Sequence, residues 1–139
     1  MNASAQDVLA PSAKVDKLVW TGRVLSGLVV AFMLFDAIIK LIPIQAVYDT
    51  FRQMGIPEHL AFEIGLIGLT CTILYAIPRT AVLGAILLTA MYGGGIASHL
   101  RIGSPLFSHV LFGVYLGLFA WGGLFLRDAR LRALIPLRK

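Results

Sequence analysis

Long apolar segments separated by short polar interruptions run through almost the whole chain. Four of these segments have about the 20 residues that a helix needs to span a membrane: residues 18–42, 57–77, 80–100 and 105–126. A polar lead, residues 1–17, precedes them, and a basic tail, residues 127–139, follows them. The pattern predicts an all-α, polytopic membrane protein whose four transmembrane helices run up, down, up and down.

Proline and glycine mark the ends of these helices. The first helix is predicted to stop at Pro43, and the amphipathic segment 44–54 is predicted to form an interfacial turn or helix. A third connection reads Ile102-Gly103-Ser104-Pro105. Glycine accepts a positive φ, serine can cap a helix and proline suits a first helical position, so a turn is expected there.

The composition supports the membrane class. The chain is 58% hydrophobic and 14% charged, whereas soluble domains average about 45–50% apolar and about 25% charged residues. A net charge of +5 would suit a protein that binds nucleic acid. The basic residues lie beside the apolar segments instead, which excludes a nucleic-acid site and is typical of the positive-inside rule. The single cysteine, Cys71, excludes an internal disulfide and CxxC exchange chemistry.

The same basic residues predict the orientation. Nine of the twelve lysines and arginines fall on the side of the two termini, namely Lys14, Lys17, Arg23, Arg79, Arg127, Arg130, Arg132, Arg138 and Lys139. Three remain for the other side, namely Lys40, Arg52 and Arg101. This asymmetry predicts that both termini lie in the cytoplasm.

Polar residues within the predicted spans converge on the opposite, outer side. At 1.5 Å per residue, Asp36 and Glu63 each lie about 9 Å from the outer ends of their helices, and His109 lies about 6 Å from its own. The cluster predicted to bind a ligand comprises Asp36, Lys40, Glu63, Tyr92, His99, Arg101, His109 and Tyr115. Ionisable groups are costly in lipid, so they are expected to face inward or to line a wet cavity. We expect a small cavity there, walled by Phe32, Tyr92, Phe112 and Tyr115.

Two other interpretations of the cluster stay open at this point. The charges can simply be structural ion pairs that fix the register of the helices, with Glu63 held by Arg101 or Lys40. Alternatively, His99, His109 and Glu63 can form a metal site, because two histidines and a carboxylate can hold zinc or non-haem iron. The histidines lack the local spacing of HExxH motifs, which counts against the metal site.

The segment Gly93–Gly117, GGGIASHLRIGSPLFSHVLFGVYLG, resembles the DoxX-like family of small bacterial membrane proteins. The likeness extends from about Val19 to Arg132 and includes Asp36-xxx-Lys40, the Glu63 helix and the closing run Leu126–Arg132. The resemblance implies a four-helix membrane bundle in the bacterial inner membrane. The family takes its name from a subunit of a thiosulfate:quinone oxidoreductase, so a redox role is one expectation that it carries.

Two functional hypotheses follow. The first is a redox or redox-accessory subunit that binds a quinone-like or lipophilic ligand in the outer half of the bundle. The chain has no flavin, iron–sulfur or CxxCH motif, so its electrons would come from a redox-partner protein. The alternative is a non-catalytic scaffold or chaperone-like binding module. Whether the protein is an enzyme, and whether it is a homo-oligomer in the lipid bilayer, stays open.

Overall fold

A computed structural model of the chain describes residues 5–42 and 44–135, with side chains described from residue 16 onward. The described residues form six α-helices and one π-helical turn. The helices are α1 (Ala5–Leu41), α2 (Gln45–Gln53), α3 (Leu60–Ala76), α4 (Ala81–Arg101), α5 (Phe112–Arg127) and α6 (Ala129–Leu134), and the π turn is Leu106–Val110.

Helices α1, α3, α4 and α5 form the bundle. Each packs on two of the others, in the order α1, α3, α4, α5 and back to α1. The contacts show that neighbours are antiparallel: Lys40, late in α1, lies beside Gly65, early in α3, whereas Ser26 bonds to Tyr75 at the far end of α3. The predicted up-down-up-down four-helix bundle is therefore confirmed. The end that holds His99 and His109 is called the histidine end below, and the end that holds Arg23 and Arg127 is called the termini end.

Three stretches are long and apolar enough to cross a membrane, namely Asp16–Leu41, Ala81–Arg101 and Leu106–Arg127. Helix α3 is apolar but has 17 residues, at the lower limit of about 17–25 residues for a spanning helix. It is shorter than the predicted 57–77 because residues 57–59 form a turn before it. Helix α1 extends into the predicted lead as far as Ala5.

Glycines in the left-handed conformation end α2 and α4. Gly55 has φ +66° and Gly103 has φ +68°. At the second of these, Ser104 N–H donates to the His99 carbonyl at 3.0 Å and Gly103 N–H donates to the Leu100 carbonyl at 3.1 Å. These two bonds form a Schellman motif, which satisfies carbonyls that the helix end would leave free. The predicted turn thus ends α4, although the Ser104 hydroxyl caps no helix.

Helix α2 is held on α3 by an apolar cluster of Val47, Phe51 and Ala61. At its polar edge Arg52 donates to the Glu58 carboxylate. This hydrogen bond and the negative charge of Glu58 raise the pKa of the Arg52 guanidinium. The segment is amphipathic as predicted and lies outside the four-helix ring.

Buried hydrogen bonds join the helices near the termini end. Tyr75 of α3 is fully buried and donates to the Ala120 carbonyl of α5 at 2.7 Å. Its oxygen also lies 2.8 Å from the Ser26 hydroxyl of α1. Because the one phenolic hydrogen goes to Ala120, Ser26 must be the donor in the second bond. One buried tyrosine therefore joins three helices.

The predicted basic tail is ordered where the structure describes it. Asp128 caps α6 by accepting from the N–H groups of Arg130 and Leu131, at 2.9 and 3.3 Å. Arg132 donates to the last carbonyls of α5, those of Phe125 and Leu126. Arg127 is the last residue of α5 and not part of a free tail. Arg138 and Lys139 lie outside the described residues.

Candidate functional site

The acidic member of the site lies on α1. Asp36 and Lys40 are one helical turn apart, and the ammonium group lies 2.5 Å from the carboxylate. Their side chains are only 23% and 17% exposed. A partly desolvated pair of this kind is locally neutral, so α1 brings polarity to the bundle without net charge.

The two histidines come from α4 and from the π turn. Their rings meet edge to face, with centroids 5.5 Å apart and an angle of 65° between the planes. His99 Nδ1 lies 3.0 Å from the Ser104 hydroxyl, and His109 Nδ1 lies 2.7 Å from the Ser108 hydroxyl. Among the described residues the Nε2 atom of neither ring has a hydrogen-bond partner. Both rings therefore keep one nitrogen for another molecule.

The π turn itself was not predicted. Val110 N–H donates to the Pro105 carbonyl and Leu111 N–H donates to the Leu106 carbonyl, both across five residues. Such turns are rare and frequently occur at functional sites. This one carries His109 and ends where α5 begins, so it decides where the second imidazole lies. The sequence predicts only a continuous helix from Pro105.

Tyr92 of α4 supplies the third polar group. It is 8% exposed, and its hydroxyl oxygen is a buried atom without a hydrogen-bond partner among the described residues. A buried hydroxyl left without a partner costs about 1–3 kcal/mol. An unsatisfied hydroxyl inside an otherwise well-packed bundle calls for a specific explanation.

These groups share one cavity of about 230 Å³, called the histidine cavity below. It is lined by Phe32, Met33, Asp36, Lys40, Met91, Tyr92, Gly95, Ile96, His99, His109, Phe112, Gly113 and Leu116. Phe32 and Phe112 contact each other edge to face with centroids 5.0 Å apart, and they link α1 to α5 at its wall. The structure thus brings together five of the eight predicted residues: Asp36, Lys40, Tyr92, His99 and His109.

Glu63 is not brought into this cluster. Ala61, Gly65 and Gly68 form the buried face of α3, and Glu63 is two residues from Ala61, or about 200° around the helix. Its side chain is exposed and makes no ion pair within the described part of the chain. Lys40, which we expected as a partner, is paired with Asp36 instead. The position of Glu63 in the first turn of α3 suits the positive end of the helix dipole.

Arg101 and Tyr115 also lie outside the histidine cavity. Arg101 is exposed and donates to the Met54 carbonyl at the end of α2, so it joins that helix to α4. Tyr115 is 41% exposed. It follows the cavity-lining Gly113 by two residues, which places it on the other side of α5.

The alternative metal site depended on three residues that the structure does not gather. His99 and His109 are neighbours, but Glu63 faces outward. Within residues 5–42 and 44–135 no three His, Cys, Asp or Glu side chains lie close enough together to hold a metal ion. The arrangement around the histidines is therefore that of hydrogen-bonding groups in an apolar cavity.

Comparison with known proteins agrees with the bundle described above. The model of the DoxX-like family matches residues 24–123, which include α2, α3, α4, the π turn, about half of α1 and most of α5. The chain belongs to the DoxX-like family. It is an integral membrane protein, as the apolar helices of this DoxX-like chain require. No significant match was found among the curated proteins or among the solved structures.

Proposed function

We propose that this DoxX-like protein binds a small, neutral, lipophilic ligand of the quinone type in the histidine cavity, as a redox or redox-accessory subunit of the membrane. The observation that carries the proposal is the composition of the cavity. Its walls are apolar, its one carboxylate is neutralised by Lys40, and its polar atoms converge from three elements. Apolar walls with a few placed polar groups are the usual make-up of a small-molecule site.

The charge balance favours an uncharged ligand. An anion would compete with Asp36 for Lys40, and a cation would compete with Lys40 for Asp36. A neutral ring with carbonyl oxygens leaves that pair intact and needs only hydrogen-bond donors. If the Ser104 and Ser108 hydroxyls donate to the Nδ1 atoms, Nε2 of each neutral imidazole carries the hydrogen and can donate to such a carbonyl.

The size of the cavity favours a single-ring headgroup. Its volume of about 230 Å³ is below the roughly 300–1,000 Å³ of pockets that enclose drug-sized ligands. A headgroup would fill it, and an apolar chain would lie along the bundle among the lipid tails. The Tyr92 hydroxyl would gain the acceptor that it lacks among the described residues.

The residues of this chain are proposed only to bind the quinone and to exchange protons with it. A bound quinone would supply the electron-accepting ring, and a redox-partner protein would supply the electrons. His99 and His109 can exchange protons with the ring carbonyls, since a neutral imidazole donates at one ring nitrogen and accepts at the other. We also propose that the protein, as a member of the DoxX-like family, lies in the bacterial inner membrane. The distribution of its basic residues supports an orientation with both termini in the cytoplasm.

Calorimetric titration of the detergent-solubilised protein with ubiquinone-1 tests the ligand class. We expect Tyr92→Phe and His109→Asn each to weaken binding about three- to tenfold, the loss of one hydrogen bond. Tyr115→Phe and His59→Asn are the matched controls, because both residues are exposed and outside the cavity. These two variants should bind ubiquinone-1 like the parent protein.

Two glycine-to-leucine variants, one inside the cavity and one outside it, make the test more specific. Gly95 lines the cavity and Gly93 does not, and a Cβ atom at either position would meet nothing within 4 Å. Gly95→Leu should therefore fill the cavity and abolish binding, whereas Gly93→Leu should leave it intact. Equal binding by both leucine variants, or no heat from ubiquinone-1 with the parent protein, would refute the quinone proposal and favour a scaffold without this ligand.

A further inference from the structure

A second cavity, of about 360 Å³, lies at the termini end between α1, α3 and α5. It is called the arginine cavity below and is lined by Arg23, Ser26, Gly27, Val30, Ala31, Leu34, Tyr75, Ala76 and Arg127. It shares no residue with the histidine cavity. Its two arginines also lie outside residues 24–123, the part of the chain that matches the DoxX-like family.

The charge of this cavity is unbalanced. Arg23 and Arg127 bring two cations, and no aspartate or glutamate lines the cavity. Neither arginine forms an ion pair with a described side chain. Asp128, the next residue along the chain, points its carboxylate to the N–H groups of α6. The nearest acid in sequence is thus engaged elsewhere.

Arg127 is held in place, but one of its hydrogen-bond donors has no acceptor among the described residues. Its guanidinium lies over the Tyr75 ring, 5.6 Å from the centroid, in cation–π contact. Its Nε atom is buried and has no hydrogen-bond acceptor among the described residues. The Tyr75 hydroxyl is already engaged with other partners, since it donates to Ala120 and accepts from Ser26. A buried charged donor without an acceptor is rare in folded proteins.

We propose that the arginine cavity binds a phosphate-bearing anion, and that the headgroup of an anionic phospholipid is its ligand. Arginine presents a planar set of donors that matches phosphate oxygens in pairs. A phosphate here gives Arg127 an acceptor, and the single negative charge of a phosphodiester headgroup offsets one of the two cations. Basic pockets between transmembrane helices are a known way to bind anionic headgroups.

The position in the fold favours a lipid over free phosphate. The spans Asp16–Leu41 and Leu106–Arg127 place both arginines near the same membrane surface. Val30, Ala31 and Leu34 lie further along α1, toward the middle of its span, so the cavity is cationic at the surface and apolar beneath. This order, from cationic walls to apolar walls, matches a lipid headgroup followed by its acyl chains.

Titration of the detergent-solubilised full chain with short-chain lipids tests the proposal. We expect dioctanoylphosphatidylglycerol to bind at least about tenfold more tightly than dioctanoylphosphatidylcholine, because no carboxylate in the cavity would pair with the choline cation. Inorganic phosphate is titrated in a separate experiment. Weak binding of phosphate identifies the lipid as the source, whereas equally tight binding supports an anion site that takes phosphate from solution.

Matched charge variants decide whether the site is specific. Arg127→Gln and Arg23→Gln should each weaken phosphatidylglycerol binding at least about tenfold. Arg130→Gln removes the same charge from an exposed position outside the cavity and should change it less than about twofold. Arg23 is exposed, so its variant keeps the test valid if Arg127→Gln fails to fold. Equal losses in all three variants, or no preference for phosphatidylglycerol, would overturn the proposal.

Discussion

Two adjacent glycines in α5 allow a sharp test of how closely the bundle is packed. A Cβ atom at Gly123 would lie 2.5 Å from the Ser26 hydroxyl oxygen and 2.9 Å from both the Gly22 carbonyl oxygen and the Ser26 nitrogen. A Cβ atom at Gly122 would meet nothing within 4 Å. Small residues that let two backbones approach are the usual basis of helix association in membranes. Gly123→Ala should therefore destabilise the protein, and Gly122→Ala should not.

The expected difference in stability between the two variants follows from three contributions. Alanine is better than glycine in a helix interior by about 0.8–1.0 kcal/mol, and this gain is the same at both positions. Overpacking at position 123 costs about 1–3 kcal/mol, toward the upper limit because two of the three crowded atoms belong to the backbone. Displacing Ser26 also breaks its bond to Tyr75, worth about 0.6 kcal/mol in a membrane protein. Gly123→Ala should thus be about 2–4 kcal/mol less stable than Gly122→Ala.

Equilibrium unfolding in mixed micelles of dodecylmaltoside and SDS, followed by circular dichroism, measures the difference. Both variants keep the same composition and differ by one position, so micelle effects cancel in the comparison. Free energies of unfolding that agree within about 0.5 kcal/mol, the usual tolerance for independent sites, would show that α1 and α5 do not approach as closely as described.

Three further predictions concern Tyr75, Glu63 and the orientation in the membrane. Tyr75→Phe removes two interhelical hydrogen bonds and should lower the free energy of unfolding by about 1 kcal/mol in the same micelle assay; no change would mean that water replaces the hydroxyl. Glu63→Gln should change stability by less than about 0.5 kcal/mol, because Glu63 is exposed, and a large loss would place it in the core. In intact cells Ile102→Cys should react with an impermeant maleimide and Arg79→Cys should react only after lysis; the reverse pattern would invert the proposed orientation.

The helices and their ends could be predicted because the constraints on them are local. A helix that crosses a bilayer needs a fixed length of apolar sequence, and glycine or proline must interrupt it where the chain turns. Helix α4 ends at Arg101, and Gly103 takes the positive φ that the turn was expected to need. The π turn could not be predicted, since no local pattern distinguishes Leu106–Val110 from an α-helix.

The site was only partly predictable because spacing does not determine how a helix is rotated within the bundle. Spacing correctly places Asp36 and Lys40 on one face of α1, and the structure pairs them. Spacing also places Glu63 near the outer end of α3, but the structure turns its side chain outward. The small residues Ala61, Gly65 and Gly68 lie on the buried face of α3, and Gly65 lets this helix approach α1 closely.

The two cavities differ in the net charge of their lining residues. This charge, more than the volume, determines which ligand each cavity can hold. The histidine cavity contains a carboxylate and an ammonium group 2.5 Å apart, so a charged guest would have to break that pair. The arginine cavity contains two guanidinium groups and no carboxylate, so a neutral guest would leave both cations without a counter-charge among the lining residues. Burying an unpaired charge costs far more than burying a neutral ring. Ubiquinone-1 and phosphatidylglycerol should therefore bind independently, and each should be insensitive to substitutions at the other end of α1.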